Sequence, residues 1–125
     1  MASASALLDY LTDQLAPLGD VRGRAMFGGH GLYLNGAIVG IIVEETLYLK
    51  VDAGNRAAFM RESMEPFTYS SKGRRVALSY WEAPAAVIEE PDQLQQWVRD
   101  AAAAARRSRA ARAPRSNKSP RRSSP

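Results

Sequence analysis

Asn35-Gly36-Ala37-Ile38-Val39-Gly40-Ile41-Ile42-Val43 joins a tight-turn dipeptide to an apolar run of seven residues. Asn-Gly tolerates positive φ at both central positions of a two-residue hairpin turn. The run after it is too short to span a membrane and rich in β-branched residues, so it predicts a strand. Its side chains are apolar on both faces. Such a strand is either covered on both faces or shares its outer face with a partner. Before the turn, residues 31–34 predict the paired strand. After the run, Glu44-Glu45 turns the chain. Leu47, Leu49 and Val51 then alternate with Tyr48 and Lys50, the period of a half-buried strand.

Working outward, residues 21–27 alternate weakly and predict a first strand. Leu7, Leu8, Leu11, Leu15 and Leu18 predict an amphipathic helix over 4–16, stopped by Pro17 and Gly19. Downstream, 53–63 predicts a short helix carrying Phe59 and Met60, capped from Asp52. Phe67 and Tyr69 open a strand that turns at Lys72-Gly73. Val76, Leu78 and Tyr80 alternate with Ala77, Ser79 and Trp81 until Ala83-Pro84. Pro91 suits a first helical position, and Leu94, Trp97, Val98, Ala101, Ala102 and Ala105 form a core stripe to about residue 108. The order is α-β-β-β-β-α-β-β-α. Hairpins without helical crossovers predict an α+β domain of two layers, a mostly antiparallel sheet with helices on one face.

Composition narrows the function. The chain has 125 residues, no cysteine and one histidine, His30. Disulfides, thiolate catalysis and Cys- or two-His metal sites are excluded, and no cofactor is expected. The first 20 residues lack a basic start, and Asp9 and Asp13 break their apolar run, so no signal peptide is read. Nothing approaches the roughly 20 apolar residues of a membrane span. The expectation is a cytoplasmic protein without membrane contact.

Charge is divided between body and tail. Of 17 basic residues, eight (Arg106, Arg107, Arg109, Arg112, Arg115, Lys118, Arg121 and Arg122) lie in the last 20 positions, which hold no acid. Residues 1–105 carry the other nine against all 13 acidic residues, a net charge of −4. Residues 1–109 therefore read as the folded domain. Residues 110–125, rich in Ser, Pro and Arg, read as a disordered basic tail. With no acidic neighbours, the eight charges are candidate non-specific DNA contacts; the alternative is a solvated extension that keeps an acidic body soluble.

Catalytic signals are weak. Gly28, Gly29 and Gly31 do not make a phosphate-cradling loop: the third glycine of that motif is missing and no helix follows. The favoured reading is a tight or bulged connection between strands. His30 sits inside it, with Ser79 and Glu82 as conceivable partners for general-base chemistry. A small-ligand binder or enzyme using the Gly28–Gly31 connection, His30 and Arg24 is the alternative to a non-enzymatic module. Glu44-Glu45 and Glu89-Glu90 are paired carboxylates, read as hairpin and helix-start polarity. Tyr80 and Trp81 face opposite sides of one strand. One side is core, and the other is an interface or lies under the last helix.

Arg24-Ala25-Met26-Phe27-Gly28-Gly29-His30-Gly31 resembles the signature of the TfoX/Sxy N-terminal domain, roughly Arg-x-Met-Phe-Gly-Gly-x-Gly. The likeness continues at Tyr33-Leu34-Asn35-Gly36, Thr46–Asp52, Pro66–Tyr69 and Ser79–Pro84. Arg24, Met26, Phe27, Gly28, Gly29, Gly31, Tyr80 and Trp81 are thereby family-motif residues. His30 stands where an aromatic, often Tyr, is common, which speaks against a catalytic imidazole. The resemblance implies a two-layer fold like that of secretion chaperones, often dimeric, and a role as regulator of natural competence acting on transcription with a DNA-bound receptor protein. It supplies no catalytic residue. Full-length regulators of that kind carry a C-terminal helical domain; the expectation here is a basic tail in its place. The expectation is a homodimer with a transcription-factor partner. The apolar outer face of Ala37–Val43 calls for the same second copy.

Overall fold

Turn chemistry builds the sheet. The computed structural model describes residues 5–26 and 28–112. Helix α1 (Ala6–Leu15) and a 3₁₀ turn at Ala16–Leu18 lead into β1 (Val21–Met26), β2 (Gly29–Leu34), β3 (Ala37–Val43) and β4 (Thr46–Lys50). Then come α2 (Arg56–Arg61), β5 (Pro66–Ser71), β6 (Arg74–Glu82), α3 (Ala85–Glu89) and α4 (Pro91–Arg112). Asn35 and Gly36 take φ of 52° and 87°, and Lys72 and Gly73 take 54° and 77°, so both hairpins close through left-handed residues.

The six strands form one sheet in the order β1-β2-β3-β4-β6-β5, every pair antiparallel. The α2 connection carries the chain past β4, so β6 takes the place beside it and β5 becomes an edge. A bulge falls between Leu32 and Tyr33, with Val39 the extra residue of β3. Gly29, His30 and Gly31 pair with β1 and β3 in unbroken register.

One layer of helices covers one face. Leu11 and Leu15 of α1, and Leu94, Val98 and Ala101 of α4, pack with Leu32, Val39, Leu47 and Leu49, all at zero exposure. Each buried Leu or Val contributes about 1.5–3 kcal/mol before entropy is counted. The alanine stripe of α4 keeps that helix close over β3 and β4.

Local differences from the sequence expectation have physical causes. Helix α1 starts at Ala6 because Ser5 caps it: its Oγ accepts from Leu8 N at 2.9 Å. Asp52 does not cap α2 with its side chain; its Oδ1 accepts from Gly54 N at 2.8 Å, and Asn55 stands at the N-cap position without a side-chain bond to the helix. Helix α3 is an additional five-residue element set off by Pro84. Helix α4 runs to Arg112, three residues past the 109/110 boundary, through the good helix formers Ala110 and Ala111. Phe27, Arg115, Lys118, Arg121 and Arg122, with the rest of the tail from residue 113, lie outside the described residues.

Candidate functional site

Gly28 lies in the turn between β1 and β2, with φ of 70°. Gly29 and His30 join Gly31 in β2, so the strand starts two residues ahead of the 31–34 read from sequence. The glycines serve close approach. A Cβ on Gly29 would collide with the carbonyl oxygen of Ile42. One on Gly31 would meet Met26 Cε at 2.9 Å and the Tyr33 ring at 3.0 Å. The motif therefore lets β1 and β3 close around β2 and keeps Met26 beside Tyr33. Arg24, also in this motif, stands over the Tyr33 ring at 5.6 Å.

On the helix-free face the sheet holds a concavity of about 650 Å³. Met26, Ile38, Ile41 and Val43 line it from the β1–β3 side. Phe67, Tyr69, Leu78 and Tyr80 line it from the β5–β6 side. Phe67 packs edge-on against Tyr48 between the two walls, with ring centroids 5.0 Å apart. Burial raises the Tyr48 hydroxyl pKa above its ordinary value, with Glu82 and Glu44 adding to the shift. Large apolar side chains remain open to solvent here, Met26 at 37% and Tyr69 at 43%.

Tyr80 and Trp81 part company as the alternation requires. Trp81 turns to the core against Phe59, centroids 6.2 Å apart, and Phe59 stacks edge-on with Trp97 at 4.7 Å. Tyr80 lines the concavity and lies 5.0 Å beneath the ammonium of Lys50. Lys50, only 9% exposed, donates to Ser79 Oγ at 2.7 Å. Beside it is a niche of about 40 Å³, walled by Ile38, Lys50, Tyr80, Ala105, Ser108 and Arg109. Ile38 and Tyr80 belong to both spaces, so the niche adjoins one end of the concavity. Sequence reading passed over Lys50. Its period-2 position opposite Leu47 and Leu49 was the available signal.

The other end of the concavity adjoins the β3–β4 turn. Gly29, His30 and Ile42 border both the concavity and a smaller hollow lined by Ser5, Glu44 and Glu45. Glu44 and Glu45 take φ of 51° and 58°, a conformation that disfavours glutamate. The gain is at α1: Glu45 accepts from Ser5 Oγ at 2.6 Å and from Leu7 N at 3.1 Å, a carboxylate on a helix N-terminus. These bonds hold the Glu45 carboxyl below its ordinary pKa, and His30 adds a small attraction.

The structure does not assemble a general-base constellation around His30. Ser79 and Glu82 lie on β6, three strand spacings from β2 in the sheet, about 14 Å. Neither Arg24 nor Glu82 lines the concavity that His30 borders. Among the described residues no group of three or more His, Asp or Glu side chains could hold a metal ion. No helix there is long and apolar enough to cross a membrane.

The basic end is partly committed. Arg107 makes two 2.7 Å bonds to the Asp52 carboxylate, 55 residues away, so the expectation that all eight cations lack acidic neighbours is corrected for this one. The guanidinium holds the Asp52 pKa down to about 2, and Asp52 raises that of Arg107 in turn. Arg106 and Arg109 are solvent-exposed on the last turns of α4.

No curated protein matched the chain in a sequence comparison. A family described as TfoX N-terminal domain matches residues 13–105, from the second half of α1 into α4, and so takes in the whole sheet with its glycine strand and Tyr80-Trp81 pair. That span is most of the chain, and the chain belongs to the TfoX N-terminal domain family.

Proposed function

We propose that this chain is a non-enzymatic regulatory module. It works in the cytoplasm as a homodimer, engages a transcription-factor partner and touches DNA through its basic tail. The observation that carries the reading is the open sheet face, where Ile41, Val43, Phe67 and Leu78 form an apolar floor that the helices of the described residues leave uncovered. Contiguous apolar surface of this kind marks interaction sites.

A second copy suits that floor. With the two-fold axis along the strands, β1 of one protomer lies over β5 and β6 of the other. Arg24 then comes near the partner's Glu82, while Arg22 stays paired with Asp20 of its own chain. In the tail, seven cations are left once Arg107 is held by Asp52. Each phosphate neutralised releases counterions, so log affinity for duplex DNA falls with log salt at a slope of about −6, with little sequence preference.

The test is an affinity pull-down of the full chain from its own cells, with and without nuclease. A transcription-factor partner that survives nuclease supports the reading; its absence under both conditions contradicts it. For the tail, replacing Arg115, Lys118, Arg121 and Arg122 by Ser brings the salt slope to about −3. An unchanged slope removes the tail as the DNA contact.

A further inference from the structure

We propose that the concavity on the open sheet face binds a free single-chain amphiphilic anion, its apolar chain along the trough and its carboxylate at the Lys50–Arg109 niche. The space has the size of a small-molecule site, where about 300–1,000 Å³ is usual. Its walls are apolar along the length, from Met26 and Val43 at one end to Ile38 and Leu78 toward the other.

The two ends differ in charge. At the β3–β4 turn stand Glu44 and Glu45, which repel an anionic head. At the opposite end the niche places an ammonium, a guanidinium and the Ser108 side chain around about 40 Å³, room for a carboxylate group or one water. The Lys50 ammonium is held in place by Ser79 and the Tyr80 ring, so it meets a head group without being ordered first. Apolar length plus one cationic end selects a single-headed acid. A neutral lipid makes no ion pair at the niche, and a polyanion has no use for the apolar walls.

A chain lying in the trough occupies the floor that a second copy would cover. Ligand and dimer then exclude each other, and the acid acts as a dissociating effector. This regulatory effect rests on the second-copy reading above; the binding itself does not.

The test titrates the full-length, methyl-labelled protein with decanoate below its micelle concentration, and in parallel with decanol and butyrate. The methyl resonances of Ile38, Ile41 and Leu78 shift with decanoate, which binds at least tenfold tighter than decanol, while butyrate does not bind. Arg109→Gln, on the exposed side of the niche, removes the tenfold preference and leaves decanol binding unchanged. Leu78→Glu abolishes binding of both ligands. Absence of shifts at the trough methyls, shifts confined to the tail, or equal affinity for decanoate and decanol overturns the site. Sedimentation of the same samples separates the two claims. A dimer that persists with decanoate bound overturns the effector role alone. A monomer that binds decanoate overturns the second-copy reading and leaves the site standing.

Discussion

The two faces of this sheet are built from similar residues and meet different fates. On one face Leu32, Val39, Leu47 and Leu49 are wholly buried under α1 and α4. On the other, Ile41 is shielded at 8% exposure by its neighbours on the concave sheet, while Met26 and Tyr69 are open to solvent. The first face completes its core within the chain, so its residues answer to stability. The second is left uncovered by the helices of the described residues, so its side chains contribute less to the core. Adjacent residues divide this way: Trp81 belongs to the first face and Tyr80 to the second.

The largest effects break the covered face or the frame that joins the two. Leu49→Ala removes a fully buried side chain and is expected to cost about 2–5 kcal/mol by chemical denaturation. Gly29→Val places a Cβ on the backbone oxygen of Ile42 and is expected to cost about 3 kcal/mol or more, because β2 and β3 must separate locally. Normal stability in Gly29→Val would remove close approach as the reason for this glycine.

Smaller effects come from the polar ties at the ends of the helices. Ser5→Ala removes the α1 cap and is expected to cost about 1 kcal/mol in the same assay. The Asp52–Arg107 tie depends on pH in a stated direction. The Asp52 pKa is lowered on folding from 3.8 to about 2, so its contribution is full above pH 4 and is lost as pH falls toward 2. Asp52→Asn is therefore expected to be less stable than the parent at neutral pH, with the gap closing between pH 4 and 2. A gap constant over that range would sever the pair from stability. The same substitution frees Arg107 and is expected to steepen the DNA salt slope by about 1.

The smallest stability effect is expected on the open face. Tyr69→Ser, already 43% exposed, should stay within about 0.5 kcal/mol of the parent. A loss as large as that of Leu49→Ala would mean that the two faces are not distinct.

What was legible in the sequence was local. Asn35-Gly36 and Lys72-Gly73 announce their hairpins because positive φ is a property of those dipeptides in isolation. The alternation of Leu47, Leu49 and Val51 assigns the covered face, and the apolar run Ala37–Val43 tells that the other face is apolar too. Non-local features left no trace. Nothing near Arg107 names Asp52 as its partner, nor does anything near Glu45 name Ser5, since both pairings depend on how the helices dock. The glycines misled in a small way. They punctuate turns more often than strands, and only the β1–β2–β3 packing explains two of them within β2. The niche at Lys50 was hidden because a lysine at a strand's solvent position reads as surface until α4 is laid beside it.

Sedimentation at micromolar concentration tests the contrast of the two faces most directly. A second copy on the open face predicts a particle of twice the 13.7 kDa chain mass, reduced to a single folded chain by Leu78→Glu, with the far-ultraviolet circular dichroism of the parent retained and the melting temperature lowered only by the lost association. A parent protein that sediments as a 13.7 kDa monomer, or a Leu78→Glu variant that remains dimeric, would contradict it.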